Sequence, residues 1–376
     1  MKRLALILCL ALVASLTACS PVVTEIPQTT EVGSPAPQIE TMEAIEPKTF
    51  PLAETGPFDV GQQKFKFKDP ARDGWRVPIT LWYPAKLPFG SESGKVIRDA
   101  EPNMKEAPYP LILSSTKVAE IFAPYLVSHG FTWVSVDGID SYMAFYKGAL
   151  DQPLDILFAL NQMGDNPPEG LEGLIDADNA GAIGYSFDGF NSLAMSGARI
   201  DPDYYLAQCP TPDAITESVL GGLSAFSCTP AGKWDEFTAQ LSESITASDD
   251  GLWQPLTDPR IRAVMPMAGE GWWLFGERGL AAVNRPTLII VSTEDELYRE
   301  NILIFNHLGI ADKSLISFIG QAHMMIYDEE MVARMAHFAT AFFGYHLQGQ
   351  EDLAQYFSEG FVSQYDDLAW GEYTGE

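Results

Sequence analysis

The sequence predicts an α/β domain, a mostly parallel central sheet with helices on both faces. Three observations carry this. Short, nearly continuous apolar runs, YPLILSS (109–115) and FTWVSVDG (131–138), read as strands buried on both faces. Helical patterns recur between such runs, as βαβ units require. A chain of 376 residues with 46% hydrophobic content can bury one large core or two small ones, and composition alone does not choose.

The chain opens on MKRLALILCLALVASLTAC: Lys2 and Arg3, an apolar run too short to span a bilayer comfortably, then small residues before Cys19. These mark residues 1–18 as an export signal rather than a fold element. Leu16-Thr17-Ala18-Cys19 resembles the bacterial lipobox, in which Cys19 is acylated and becomes the first mature residue. The alternative is ordinary secretory cleavage near Ala18 and Cys19. Both place the protein outside the cytoplasm, and the first attaches it by lipid to a bacterial membrane, on a periplasmic or cell-surface face. Residues 19–51, rich in Pro, Thr, Ser and Glu, are expected to be a disordered tether.

The main domain is expected over 52–347. Residues 63–69 and 75–84 alternate apolar and polar positions and end in turn formers, which predicts an opening hairpin. Helices are expected over 120–129, 154–163 and 187–198, with a strand at 180–186 between the last two. Strands follow at 261–268, 286–292 and 313–319, with helical patterns at 279–283 and 297–308. A last helix over 328–346 precedes an acidic, aromatic tail, 348–376, packed on the surface or frayed. Residues 201–258 break the rhythm and read as an insertion over the carboxyl end of the sheet, where loops build sites in open α/β folds.

Of four cysteines, Cys9 lies in the signal and Cys19 at the lipid site. Cys209 and Cys228 remain; in an oxidising compartment they are expected to pair and staple the insertion, the alternative being two buried thiols. A net charge of −28 argues against nucleic acid or anionic lipid as partners and disfavours polyanionic substrates. No repeat, metal-ligand cluster or phosphate-binding glycine loop is present, so no cofactor and no metal are expected.

The chemistry centres on GAIGYSFDGFNSLA, residues 181–194. A serine hydroxyl becomes a nucleophile only where a base takes its proton and a carbonyl can approach. A sharp turn from strand to helix gives that exposure, and Gly184-Tyr185-Ser186-Phe187-Asp188-Gly189 has the apolar strand before it and the amphipathic helix after it. The alternative is a glycine-rich turn with an incidental serine. Glycine comes one place later than in GxSxG, with Asp188 in its stead, so the helix is expected to sit slightly farther from the neighbouring strand.

Five histidines could serve as base. His129 and His307 fall at helix ends, where a cation complements the dipole; His337 and His346 fall in the last helix. His323, in GQAHMMI, alone lies in the loop after a late strand. Asp295 ends PTLIIVSTED, between Ser186 and His323 in sequence, and is favoured over Glu294 and Glu296 because a short side chain suits a strand-end loop. The order Ser, Asp, His is the one this geometry takes.

Together YPLILSS, GYSFDG, RPTLIIVSTED and GQAH resemble α/β-hydrolases of the dienelactone hydrolase-like group that includes the platelet-activating factor acetylhydrolases. The resemblance runs from about residue 75 to residue 346. It implies the α/β-hydrolase fold and cofactor-free serine esterase chemistry, with Ser186, Asp295 and His323 as the triad. The motif order is fairly specific for the fold and weakly specific for substrate. Dienelactone hydrolases proper use a cysteine nucleophile, so the serine argues against that activity.

A second departure concerns the oxyanion hole, which needs one backbone N–H from Phe187 and one from the loop after the first parallel strand. Relatives usually carry a His-Gly pair there; this chain has Ser114-Ser115-Thr116-Lys117-Val118. Val118 or Lys117 is the expected donor. In GEGWWLFGERG, Trp272, Trp273, Leu274 and Phe275 are expected either to line an acyl or leaving-group pocket beside the triad or to bury the insertion, and Lys117 is a further expected pocket residue. The expected substrate is a small-molecule or lipid-like carboxylic ester. The rivals are a surface binding protein whose catalysis has decayed, and an amidase or peptidase with the same triad.

Overall fold

The computed structural model describes residues 49–375 except 89, 91–93, 138–144, 212–227, 240 and 247, with backbone alone at 116–117, 145–147 and 243–244. The chain divides into two units, Met1–Pro47 and Lys48–Glu376. The first, with the signal, Cys19 and nearly all the expected tether, lies outside the described residues, as does the side chain of Lys117.

The second unit is α/β, with a large mixed sheet, mostly parallel, flanked by helices. Strands β1 (Asp59–Asp69) and β2 (Trp75–Ala85) pair antiparallel along their whole length, Asp59 opposite Ala85 and Asp69 opposite Trp75. β3 (Val96–Arg98) runs along the outer edge of β1. β4 (Tyr109–Ser115), β5 (Thr132–Val136), β6 (Ile175–Tyr185), β7 (Ile261–Met267), β8 (Thr287–Ser292) and β9 (Lys313–Phe318) are parallel to one another. β10 (Leu368–Trp370) closes the far edge antiparallel to β9. The order across the sheet is β10-β9-β8-β7-β6-β4-β5-β2-β1-β3. From β4 the chain winds outward to β5, then returns to lay β6 on the other side of β4. The carboxyl ends of β4 and β6 therefore flank a topological switch point, where open α/β sheets leave a crevice.

Alternation along each strand divides the core. Leu111 and Leu113 face a layer that holds helices α2 (Phe145–Asp165) and α3 (Phe187–Met195), through Leu150, Ile156 and Phe190. Ile112, between them, faces the opposite layer of α1 (Thr116–Ser128), through Phe122 and Leu126. Successive side chains of a strand point to opposite faces, and each such Leu, Ile or Phe contributes ~1.5–3 kcal/mol when fully buried.

The insertion is more deeply engaged than a loop lying over the sheet. It contains α4 (Pro202–Gln208), α5 (Trp234–Thr238) and α6 (Glu243–Thr246), and its Tyr205, Phe237 and Trp253 belong to the first core layer. A disulfide joins Cys209 to Cys228 with their Cα atoms 5.1 Å apart.

α7 (Trp272–Leu280) begins seven residues before the helical pattern expected at 279–283. Gly276, at φ 55°, bends it midway, and this break conceals the helical period in the sequence. After α8 (Tyr298–His307), α9 (Glu329–Gln348) packs in the second layer through Met335, Phe338 and Phe342. The tail does not fray: it forms α10 (Glu359–Val362) and then β10.

The expected tether also ends earlier than residue 51. Phe50 stacks on Tyr365 with centroids 4.5 Å apart and meets His337 edge-on at 5.2 Å. Leu52 N–H donates to His337 Nδ1 (3.1 Å), and the Tyr365 hydroxyl donates to the Thr49 carbonyl (2.9 Å). No helix among the described residues is long and apolar enough to cross a membrane.

Candidate functional site

β6 runs straight into α3 through a single residue, Ser186, at φ 59° and ψ −124°. A side chain in that region costs of order 1–3 kcal/mol, so the surroundings must impose it. They do so from both sides. Ser186 N–H donates to the Met267 carbonyl at the end of β7 (2.9 Å), and the Ser186 carbonyl accepts from Gly189 N–H (2.8 Å). A Cβ on Gly184 would lie 1.8 Å from the Asp188 carbonyl oxygen, which makes glycine obligatory there.

The displaced glycine has its own contact. A Cβ on Gly189 would lie 2.6 Å from Gly269 Cα, so α3 closes against the chain after β7 through Gly189. The extra spacing expected from Asp188 does not occur, because the glycine one place later performs the close approach.

His323 opens a short 3-10 helix, His323–Tyr327, after β9. Its Nε2 lies 3.0 Å from Ser186 Oγ and its Nδ1 2.7 Å from Asp295 Oδ2. Asp295, after β8, is buried; its Oδ1 accepts from Leu297 N–H (2.8 Å). An ionised carboxylate can only accept, so it selects the tautomer with the proton on Nδ1 and leaves Nε2 to accept from the serine hydroxyl. The Tyr185 hydroxyl donates to the His323 carbonyl (2.6 Å), tying the His323 loop to the strand that ends at Ser186. Burial, then the nearby Asp295, push the Tyr185 pKa up, so the phenol keeps its proton. Three loops that are far apart in sequence thus place Ser, His and Asp in one chain of contacts.

The other histidines are held elsewhere. His307 Nδ1 meets the Leu303 carbonyl (2.8 Å). Burial pushes the His129 pKa down, so its ring is better read as a neutral partner of the Tyr125 carbonyl (2.9 Å) than as the cation expected at a helix end. Burial pushes His337 down to about 3, consistent with an Nδ1 that accepts from Leu52; it also lowers the His346 pKa.

Phe187 and Val118 occupy the first turns of α3 and α1, which begin where β6 and β4 end. First-turn N–H groups lack an intrahelical acceptor and carry the positive end of the helix dipole, so both turns suit a developing oxyanion. Between them, the hydroxyl of Ser115 donates to Asp188 Oδ1, and both side chains are buried. Behind, Ser114 Oγ accepts from Trp133 Nε1 (2.7 Å) and donates to the Ser115 carbonyl (3.0 Å).

The run 272–275 divides. Trp273 is buried and stacks with Phe190 at 6.0 Å, which fits packing rather than a pocket wall. Trp272 is half-buried, edge-on to Tyr204 at 6.1 Å and 4.9 Å from the His307 ring.

Sequence reasoning missed the clamp behind the loop that leads into α7. Asn301 accepts from Gly269 N–H (3.1 Å) and donates to its carbonyl (2.8 Å). Glu300 Oε1 accepts from Gly271 and Trp272 N–H, each at 2.9 Å. Burial pushes the Glu300 carboxyl up to about 7, against those two hydrogen bonds. Its one signal was a Glu-Asn pair leading into the apolar face of a helix. The same loop holds Glu270, buried, and Ala268 at φ 43°.

Among the described residues no cluster of His, Cys, Asp or Glu could hold a metal ion. No protein-family model matches the chain, and no curated protein does.

Proposed function

We propose that the protein is a serine hydrolase of the α/β-hydrolase fold, lipid-anchored through Cys19 outside the cytoplasm, that cleaves carboxylic esters. The observation that carries this is the contact chain from Ser186 through His323 to Asp295, with the serine on a strained turn at a switch point. The strand order, the three loops and the motif resemblance support the same reading.

In the mechanism, Ser186 Oγ attacks the ester carbonyl while its proton passes to His323 Nε2. Asp295 stabilises the resulting imidazolium and fixes its ring. The oxyanion is held by Phe187 N–H and by an N–H of the first turn of α1, with Val118 the donor. His323 returns the proton to the leaving alcohol as the tetrahedral adduct collapses to an acyl-enzyme. Water then attacks the acyl carbon while its proton passes to His323 Nε2, and His323 gives that proton to Ser186 Oγ as the Oγ–acyl bond breaks and the acid leaves. Short-chain or lipid-like esters are the expected substrates.

Nitrophenyl esters from acetate to long acyl chains test the reading, with the chain-length profile sizing the pocket. An anilide series beside them separates esterase from amidase action by the same residues. A folded protein inert toward both would favour a binding protein on a hydrolase scaffold, the reading that the altered 114–118 loop and Asp188 motivate.

A further inference from the structure

Two departures from the hydrolase pattern stand 73 residues apart in sequence: a Ser-Ser pair at 114–115 where relatives carry His-Gly, and Asp188 where they carry glycine. In space they are one contact. Ser115 immediately precedes α1, Asp188 is the second residue of α3, and the Ser115 hydroxyl donates to the Asp188 carboxylate. Phe187 immediately precedes Asp188 and Val118 follows Ser115 by three.

We propose that Ser115 and Asp188 form a strut that positions the two N–H groups of the oxyanion hole, which makes both of them positioning residues for the hydrolysis proposed above. A loop with glycine reaches the required shape through backbone freedom; this loop, lacking it, is held by side chains. The strut spans the two turns whose separation and rotation decide whether both N–H groups reach one oxygen. Trp133 stiffens it from behind through Ser114. Preorganised donors act because they need no rearrangement as charge develops, so a loosened strut slows chemistry more than it weakens binding. The carboxylate itself is not required: Asp188→Asn keeps an acceptor for Ser115 and removes a negative charge from the neighbourhood of the oxyanion.

A double-mutant cycle of Ser115→Ala and Asp188→Gly tests this on the full chain. Nitrophenyl butyrate kinetics, affinity for a trifluoromethyl ketone and thermal midpoints are read together. Each single variant should lower kcat ~10–100-fold with KM little changed, as loss of part of an oxyanion hole does. The double variant should be about as slow as the worse single one, because both remove the same contact. Affinity for the ketone, whose adduct carries the oxyanion, should fall in parallel with kcat, and Asp188→Asn should stay within about threefold of wild type.

Losses that multiply in the double variant would overturn the strut. So would a lowered midpoint with unchanged kcat, which is what a merely structural contact gives. Should Asp188→Gly fail to fold, Ser115→Ala, smaller by one oxygen, decides through the same split of kcat and KM. An active wild type with unaffected variants refutes the strut alone. A wild type inert to esters and to fluorophosphonate refutes the hydrolase reading, and the strut with it.

Discussion

At the scale of single residues, the turn at Ser186 depends on what is missing from Gly184. A methyl group there would meet the Asp188 carbonyl at 1.8 Å, and that oxygen belongs to the backbone, which cannot turn aside. Gly184→Ala should therefore destabilise the protein by about 2–4 kcal/mol and abolish ester hydrolysis in the fraction that still folds. Urea denaturation and active-site titration check the two effects separately.

Glu300 makes a second prediction, whose sign follows from proton binding. Below 4.5, the ordinary value of a glutamate, the carboxyl is protonated whether folded or unfolded, and stability is unaffected. Between 4.5 and about 7 the folded form holds its proton while the unfolded form has lost it, so stability falls as pH rises through this window. Two to three pKa units correspond to about 3 kcal/mol. Glu300→Gln keeps an oxygen for Gly271 and Trp272 N–H but cannot ionise. The variant should match wild type at pH 4 and be the more stable at pH 8, by up to about 3 kcal/mol in denaturant titrations. A Gln variant that is less stable at pH 8 would show that the ionised clamp is worth more than its burial costs.

Among elements, the parallel strands were legible because a strand buried on both faces leaves an unbroken apolar run, as PLILSS and TLIIVS do. α7 was not, since Gly276 breaks its period and its aromatic first turn resembles a loop lining. β3 and β10 have three residues each, too few for any alternation to register. Ser186, His323 and Asp295 were legible because each sits in a motif at a strand end. The Glu300-Asn301 clamp was not, because its partners are backbone groups that no side-chain pattern announces.

The insertion yields its prediction at this same scale. Cys209 and Cys228 are 19 residues apart, and closing a loop of that size stabilises by ~3 kcal/mol through the unfolded chain. Reduction, or Cys209→Ser with Cys228→Ser, should lower the stability by about that amount, measured by denaturant midpoint. Tyr205 and Phe237 keep the segment in the core, so the parallel sheet should survive the loss.

For the whole molecule, both ends of the described chain meet on α9. Phe50 lies against Tyr365, His337 and Phe361, with the Arg334 guanidinium 5.2 Å over its ring. This contact belongs to the fold, not to a passive linker. Phe50→Ala should cost about 3 kcal/mol, in the range of aromatic truncations in packed sites, and removal of residues 349–376 should cost at least as much. Differential scanning calorimetry reads both. Phe50→Ala leaves the Ser186 turn and the His323 loop untouched, so its kcat at temperatures well below the midpoint should be retained; the truncation also removes β10 from β9 and the Asp367 carbonyl from Ile319 N–H, just ahead of His323, and should lower kcat as well.

The central claim is that Ser186 is a nucleophile driven by His323. The most direct measurement is mass-spectrometric mapping of a fluorophosphonate adduct on the folded protein, with Ser186→Ala and His323→Ala beside it and nitrophenyl ester rates taken on the same samples. One adduct should form, on Ser186, with labelling and hydrolysis both falling by several orders of magnitude in either variant, as for residues that act as a unit. A folded wild type that takes no label and hydrolyses esters no faster than Ser186→Ala would contradict the account.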